Sequence, residues 1–373
     1  MKAIKHIYIC LTLTMVVFLA ACTAEESSHD QRQERVLHLK AGWQKYGDVP
    51  FATTRTSFQI GTGDNAINYE TLSADGASIR VYITTSGRLD FYGDFTYNET
   101  EGEWTQKVPF DNDTYYIYGF MPSRLMNSTT IEARSDNNYA NGAVLTIGNV
   151  PSLMKEDFCA IVGVKRADNK TGDITSSGIQ RGVYEYNVTR SDNDNYAYLL
   201  LDHVYACLRF TMAVDETYNT LRKIHLKRFS ITPQTASFKV TATLLPSNFT
   251  TLQTTFTKTA EGGTEQHLWE GDKDILLPST AEEKPIELFG SGYQELYIAP
   301  TNGNTDFTIT CTYDVYDKSG MNLIRKDCEA TNKISLGGAS LQSGDRYTIP
   351  LVIMPTYLYV LSEPDLDNPS ITF

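Results

Sequence analysis

Histidine is scarce in this 373-residue chain: there are six. None stands in a His-Glu-x-x-His pattern, and no pair has the spacing of a metal site. The chain has no P-loop, no dinucleotide-binding fingerprint and no Gly-x-Ser-x-Gly elbow; Gly61-Thr62-Gly63 and Gly262-Gly263 read as turns. Asp111-Asn112-Asp113 and Asp192-Asn193-Asp194 begin like calcium loops but lack the glycine and distal glutamate that would complete them. A carboxylate pair for glycoside hydrolysis needs only closeness in space, and nothing singles out a pair here. No catalytic residue, metal ligand or cofactor is therefore expected, and the chain reads as something other than an enzyme. Positive charge is also short. Lysine and arginine number 32 against 45 acidic residues, for a net charge of −13 with no basic run. Nucleic acid is a poor partner for such a surface, as is an anionic membrane.

Helical periodicity is missing too, while 41% hydrophobic residues suffice to bury real cores. The 23 tyrosines, with Thr, Asn and Ser crowding the turns, favour β-structure. At roughly 100–200 residues per domain, the length suggests two domains.

Residues 1–21 read as an export signal. Lys2 and Lys5 precede an apolar run, Ile7–Ala21, that falls short of the ~20 residues of a bilayer-spanning helix. The run ends in Leu19-Ala20-Ala21-Cys22, which resembles a bacterial lipobox, so Cys22 is expected to carry lipid and anchor a precursor in the outer membrane. The acidic stretch Thr23-Ala24-Glu25-Glu26-Ser27-Ser28 is similar to the surface-export signal of Bacteroidetes lipoproteins.

Beyond the leader, period-2 alternation recurs between Gly, Asn, Asp and Pro clusters. Strands are expected at 78–84, 88–97, 103–108, 114–122 and 157–166, then within 196–214. Further strands are expected at 223–232, 237–245, 275–277, 296–300, 307–316, 323–330 and 347–354, with helical turns near 152–156 and 216–222. Many short strands at this spacing suggest two β-sandwiches. Tyr116, Tyr118 and Phe120 share a strand face that could stack on sugar but fits a core better.

Cys10 and Cys22 belong to the leader and lipobox; Cys159 and Cys207 sit in apolar strands and read as core. A four-residue loop, 318–321, would set Val315 opposite Ile324 and Cys311 opposite Cys328. Export permits a disulfide there, with two buried thiols as the alternative. At the C-terminus, Tyr347–Leu361 is an apolar run interrupted by Pro350 and Pro355. An apolar strand at a terminus invites pairing with another sheet or molecule.

Together the lipobox ending at Cys22, ATTRTSFQIG at 52–61, LDHVYACLRFTMAV at 201–214 (with His203, Ala206, Leu208 and Phe210) and PTYLYVLSEPDLDNP at 355–369 resemble the fimbrillins, the subunits of Bacteroidetes type V pili. The resemblance covers nearly the whole chain. It implies two tandem transthyretin-like β-sandwich domains, 56–200 and 201–373, behind a 22–55 propeptide. It also implies a mechanism: a trypsin-like protease cuts after an arginine, the N-terminal strand leaves, and a C-terminal strand of the next subunit fills the groove. The partners are then copies of this chain or related subunits, and the destination is a cell-surface fimbria supporting adhesion. On this chain the removable strand maps to Val36–Lys40, with Trp43 as an alternative end, and the cut to Arg55–Thr56, with Arg32 and Arg35 as alternatives. The donor maps to about 356–373, through Tyr357, Leu358, Tyr359, Val360, Leu361, Ile371 and Phe373. Other readings are a tip or anchor subunit, or a glycan-binding surface lipoprotein of a polysaccharide-uptake system. The last would show exposed aromatics among Trp43, Trp104 and Trp269.

Overall fold

The computed structural model describes residues 34–44, 46–50, 69–71, 78–111, 113–125, 128–167, 174–188, 194–247, 251–280, 284–288, 295–300, 306–335 and 341–355. They are almost entirely β-structure. In chain order the first half carries β1 (Glu34–Gln44), β2 (Gly47–Pro50), β3 (Tyr69–Thr71), β4 (Ser78–Thr84), β5 (Leu89–Asn98), β6 (Glu103–Pro109) and β7 (Thr114–Met121). There follow β8 (Thr129–Ser135), β9 (Asn138–Pro151), β10 (Leu153–Met154), β11 (Cys159–Ala167), β12 (Glu185–Asn187) and β13 (Asp194–His203). The second half carries β14 (Ala206–Val214), α1 (Glu216–Asn219), β15 (Lys223–Pro233), β16 (Thr235–Leu244), β17 (Gln253–Glu261) and β18 (Gln266–Leu276). It ends with β19 (Ile286–Glu287), β20 (Leu296–Ile298), β21 (Asp306–Tyr316), β22 (Leu323–Ser335) and β23 (Asp345–Ile353).

Four sheets result. The first runs β11-β13-β1-β6-β5-β4-β7, and β7 pairs back onto β11, so the path closes on itself. Its interior is filled by Leu37, Leu39, Val81, Trp104, Ile117, Ile161, Leu199 and Leu201. These residues alternate with outward neighbours along each strand, as a pleat with one face in a core requires. The second sheet, β10-β20-β14-β23-β2, packs against the fourth-strand set β18-β15-β21-β22 around Phe210, Met212, Phe229, Tyr313 and Tyr347. This is a sandwich with its own apolar centre.

The remaining sheet, β17-β16-β9-β8, takes two strands from each half of the chain. β9 and β16 pair from Ser237↔Pro151 to Leu244↔Ala143. A third core forms on this sheet from Leu145, Ile147, Val240 and Ala242, together with Tyr118, Phe120, Leu200 and Tyr205. Tyr118 and Phe120 are fully buried there and Tyr116 half-buried, so that strand face is core. The 200/201 division falls within β13, and the chain passes to the second sheet at Val204-Tyr205.

Where the sequence suggests a helical turn at 152–156, the short β10 pairs with β20 instead. The turn near 216 does form as α1, with the Asp215 carboxylate accepting from the Tyr218 N–H at 3.1 Å. Pro350 lies in β23 opposite Thr211. Among the described residues the other side of β23 is paired with β2 from Asp345 to Thr348, and Pro350 lies beyond that pairing.

The expected Cys311–Cys328 pairing needs correction. The turn forms as anticipated, with Asp317 N–H donating to the Asn322 carbonyl at 2.9 Å. Two irregularities follow, each an extra residue on β22, and they slide the register: Val315 opposes Arg325, Cys311 opposes Ala330 and Tyr313 opposes Cys328. The Asp314 carboxylate accepts from the Asp327 backbone N–H at 2.7 Å, holding the bulge open. Both cysteines are buried free thiols, diagonal rather than opposite. Diagonal neighbours lie roughly 7–8 Å apart, beyond easy disulfide reach.

Candidate functional site

The site is the seat of β1. Its sequence alternates Leu37, Leu39 and Ala41 against Val36, His38 and Lys40. The first set is fully buried in the closed sheet and the second half-buried. β1 runs parallel to β13 from Val36↔Asp194 to Trp43↔Leu201. On its other side it is antiparallel to β6 from Glu34↔Pro109 to Leu39↔Trp104, and β3 continues that side from Gly42 to Gln44. The strand is thus an interior strand along its length. Burying one leucine side chain contributes about 1.5–3 kcal/mol, so Leu37 and Leu39 weigh heavily in its seating. Its outer face is held as well: His38 lies 2.7 Å from the buried carboxylate of Glu103 and stacks on Tyr196 at 4.7 Å. The expected strand at Val36–Lys40 is present and longer, at Glu34–Gln44.

The same segment reaches the second sheet. β2 pairs in parallel with β23 from Gly47↔Asp345 to Pro50↔Thr348. Between β1 and β2 stands Tyr46, in a socket drawn from both halves. Its hydroxyl donates to Asp157 at 2.7 Å, and its ring stacks on His203 at 3.7 Å. The Arg346 guanidinium lies over the ring at 5.3 Å, and Tyr297 is 6.1 Å away. Burial, reinforced by Asp157, pushes the Tyr46 hydroxyl well above its usual range, so it stays protonated and can donate. Sequence reasoning passes over Tyr46. The available signal is an aromatic between two apolar runs, followed by Gly47, whose backbone N–H donates to the Gly344 carbonyl at 2.9 Å.

His203, which belongs to the 201–214 motif and ends β13, is buried. Its Nδ1 lies 2.6 Å from Asp157 and 3.5 Å from the Cys159 sulfur. These three offer one ligand atom each, all within 4.8 Å of one another. The imidazole nitrogen is already shared with Asp157, so the trio forms a closed polar network beneath Tyr46. Burial and the Asp157 carboxylate push the Cys159 thiol well up, and burial lifts Cys207 to about 12, so neither is a thiolate nucleophile at neutral pH.

Cys22, Arg55, Thr56, Tyr357, Leu358, Tyr359, Val360, Leu361, Ile371 and Phe373 lie outside the described residues. The three tryptophans do not form an exposed platform: Trp104 is fully buried, while Trp43 and Trp269 pack half-buried against the cores.

No family model matches the sequence, and no curated protein matches it. Among solved structures, the chain is similar to a fimbrial protein from Bacteroides vulgatus at 14% identity and a TM-score of 0.39, covering 74% of this chain and 87% of that one. It is also similar to a candidate cell adhesion protein from Bacteroides fragilis at 12% identity and a TM-score of 0.42, covering 86% and 94%. A fimbrial protein from Bacteroides ovatus aligns at 10% identity and 0.35, over 86% of this chain and 49% of that one.

Proposed function

We propose that this protein is a structural subunit of a cell-surface fimbria, made as an outer-membrane lipoprotein precursor on Cys22 and supporting adhesion. One observation carries the reading. An interior strand of a closed sheet, β1, is supplied by the segment that precedes Arg55. Such a strand is joined to the rest of its sheet by no hairpin on the β13 side, because that pairing is parallel. A cut after Arg55 therefore frees it without breaking any other covalent connection of the sheet. Its departure leaves β13 on one side and β6 and β3 on the other with unpaired backbone groups. It also leaves an apolar wall that includes Trp104, Leu199 and Leu201. An extended apolar segment from another molecule restores both. The C-terminal segment 356–373 has that character in Tyr357–Leu361 and Ile371–Phe373. A contact of this kind joins two different surfaces, so it propagates rather than closes. The subunit performs no reaction of its own in this reading; a trypsin-like protease makes the cut. The half-buried and buried tryptophans speak against the glycan-binding alternative.

The test is limited digestion of the purified chain with a trypsin-like protease. Loss of residues up to Arg55 followed by ordered polymers is expected. A cut product that stays monomeric at high concentration, or fibres with an intact N-terminus at Cys22, would sink the reading.

A further inference from the structure

The socket that holds Tyr46 is more specific than an apolar groove. It presents a carboxylate acceptor at Asp157, a flat imidazole at His203 and a guanidinium at Arg346. Asp157 and His203 are buried. A planar ring bearing a hydroxyl satisfies all three at once. Taking that ring away leaves the buried Asp157 carboxylate with the His203 imidazole alone and without the donor on its other oxygen, which is costly.

We infer that, once the N-terminal segment has left, this socket receives a tyrosine from the C-terminal segment of a second copy, Tyr357 or Tyr359. The inference rests on the strand-exchange reading above and adds what it leaves open: which side chain sets the register of the incoming strand. The segment after Pro355 contains two tyrosines, both in Tyr357-Leu358-Tyr359. They do not come from the same molecule. Arg346 marks the socket near the start of β23, and the strand runs away from it to Ile353. Seven residues at about 3.3 Å each carry the chain end about 23 Å off. Four residues span at most about 14 Å, so Tyr357 cannot return; six span at most about 22 Å, leaving Tyr359 no length for the reversal it would need. The donor is therefore another copy. The phenol hydroxyl donates to Asp157 of the acceptor, and the ring lies between His203 and Arg346 as that of Tyr46 does.

The experiment places a benzophenone amino acid at position 357 or 359 of the full chain, cuts with a trypsin-like protease, lets the protein assemble and irradiates it. Mixing isotope-labelled and unlabelled chains marks intermolecular products. Cross-linked peptides containing 157–159, 203 or 297 from the other copy are expected. In parallel, Tyr357→Ala with Tyr359→Ala is expected to slow assembly about tenfold or more, and the double Phe variant to recover part of the loss. Should the double Ala variant fail to fold, the cross-links alone decide. If wild-type protein assembles but the cross-links fall elsewhere, or the Ala variant assembles at the wild-type rate, the socket assignment fails while strand exchange stands. If cut wild-type protein never assembles, both fail.

Discussion

Leu39 and Trp104 stand opposite each other across the β1–β6 ladder, and neither has surface open to solvent. The pair places a strand from the N-terminal segment at the centre of a packed interior. Truncating a buried leucine to alanine typically costs about 2–5 kcal/mol. Leu39→Ala should therefore lower the urea-unfolding free energy of the uncut chain by that amount. In protein cut after Arg55 and freed of the segment, the same variant should behave as wild type, because the residue has gone. A change below about 0.5 kcal/mol in the uncut chain would mean β1 is not seated as described.

Arg181 grips Asp202 through two hydrogen bonds of 2.8 and 2.7 Å, with both side chains buried. Removing one partner of a buried pair costs about 3–5 kcal/mol, since the other charge is left uncompensated. Arg181→Ala is expected to fall in that range by chemical denaturation. Replacing both residues with apolar ones of similar volume should restore much of the loss. Equal damage from the single and double variants would contradict the pairing.

The buried thiols make the protein sensitive to alkali. Burial lifts Cys311 from an ordinary 9.0 to about 12, and Cys207 rises to a similar value. A raised folded value stabilises the fold below the unfolded value and loses that contribution as pH climbs through the folded one. Unfolding free energy should thus decline between pH 9 and about 12 on account of these groups. Reaction with a thiol-specific reagent at about pH 10 should be slow for these cysteines in native protein and fast on denaturation. Native protein in which Cys311 and Cys207 react as fast as in the unfolded chain would contradict the burial.

The slipped register between β21 and β22 can be read chemically. Ala330 opposes Cys311, whereas Cys328 opposes Tyr313. Under mild oxidation, Ala330→Cys combined with Cys328→Ser should form a disulfide with Cys311. The wild-type chain should keep Cys311 and Cys328 alkylatable after unfolding. A wild-type Cys311–Cys328 bridge in the peptide map would refute the register.

Much of the strand content was legible because strands with one face in a core must alternate. Ser78–Thr84 hides Ile79, Val81 and Ile83 in that way, and Leu37 and Leu39 mark β1 by the same rule. β8, β9 and β17 were missed: β8 offers only Ile131 and Ala133 to the core and β17 is largely exposed, whereas β9 does alternate through Ala143, Leu145 and Ile147 and was passed over. Bulges leave no periodic trace, so the Cys311 register went astray although its turn was anticipated. The site divides similarly. An apolar strand before Arg55 could be read from residues alone. Its parallel seat beside β13, and the meeting of Tyr46 with Asp157, His203 and Arg346, depend on contacts between distant positions, 111 apart for Tyr46 and Asp157. No local pattern carries such information.

The sheet shared by β8, β9, β16 and β17 bears on how the molecule behaves under tension. Its middle pair, β9 and β16, ties one half of the chain to the other by a ladder of backbone hydrogen bonds, and the core behind it draws on both halves. A hinge needs a thin connection, and this is a laminate. Pulled from its two ends, such a body should load the β9–β16 ladder directly instead of pivoting about a linker.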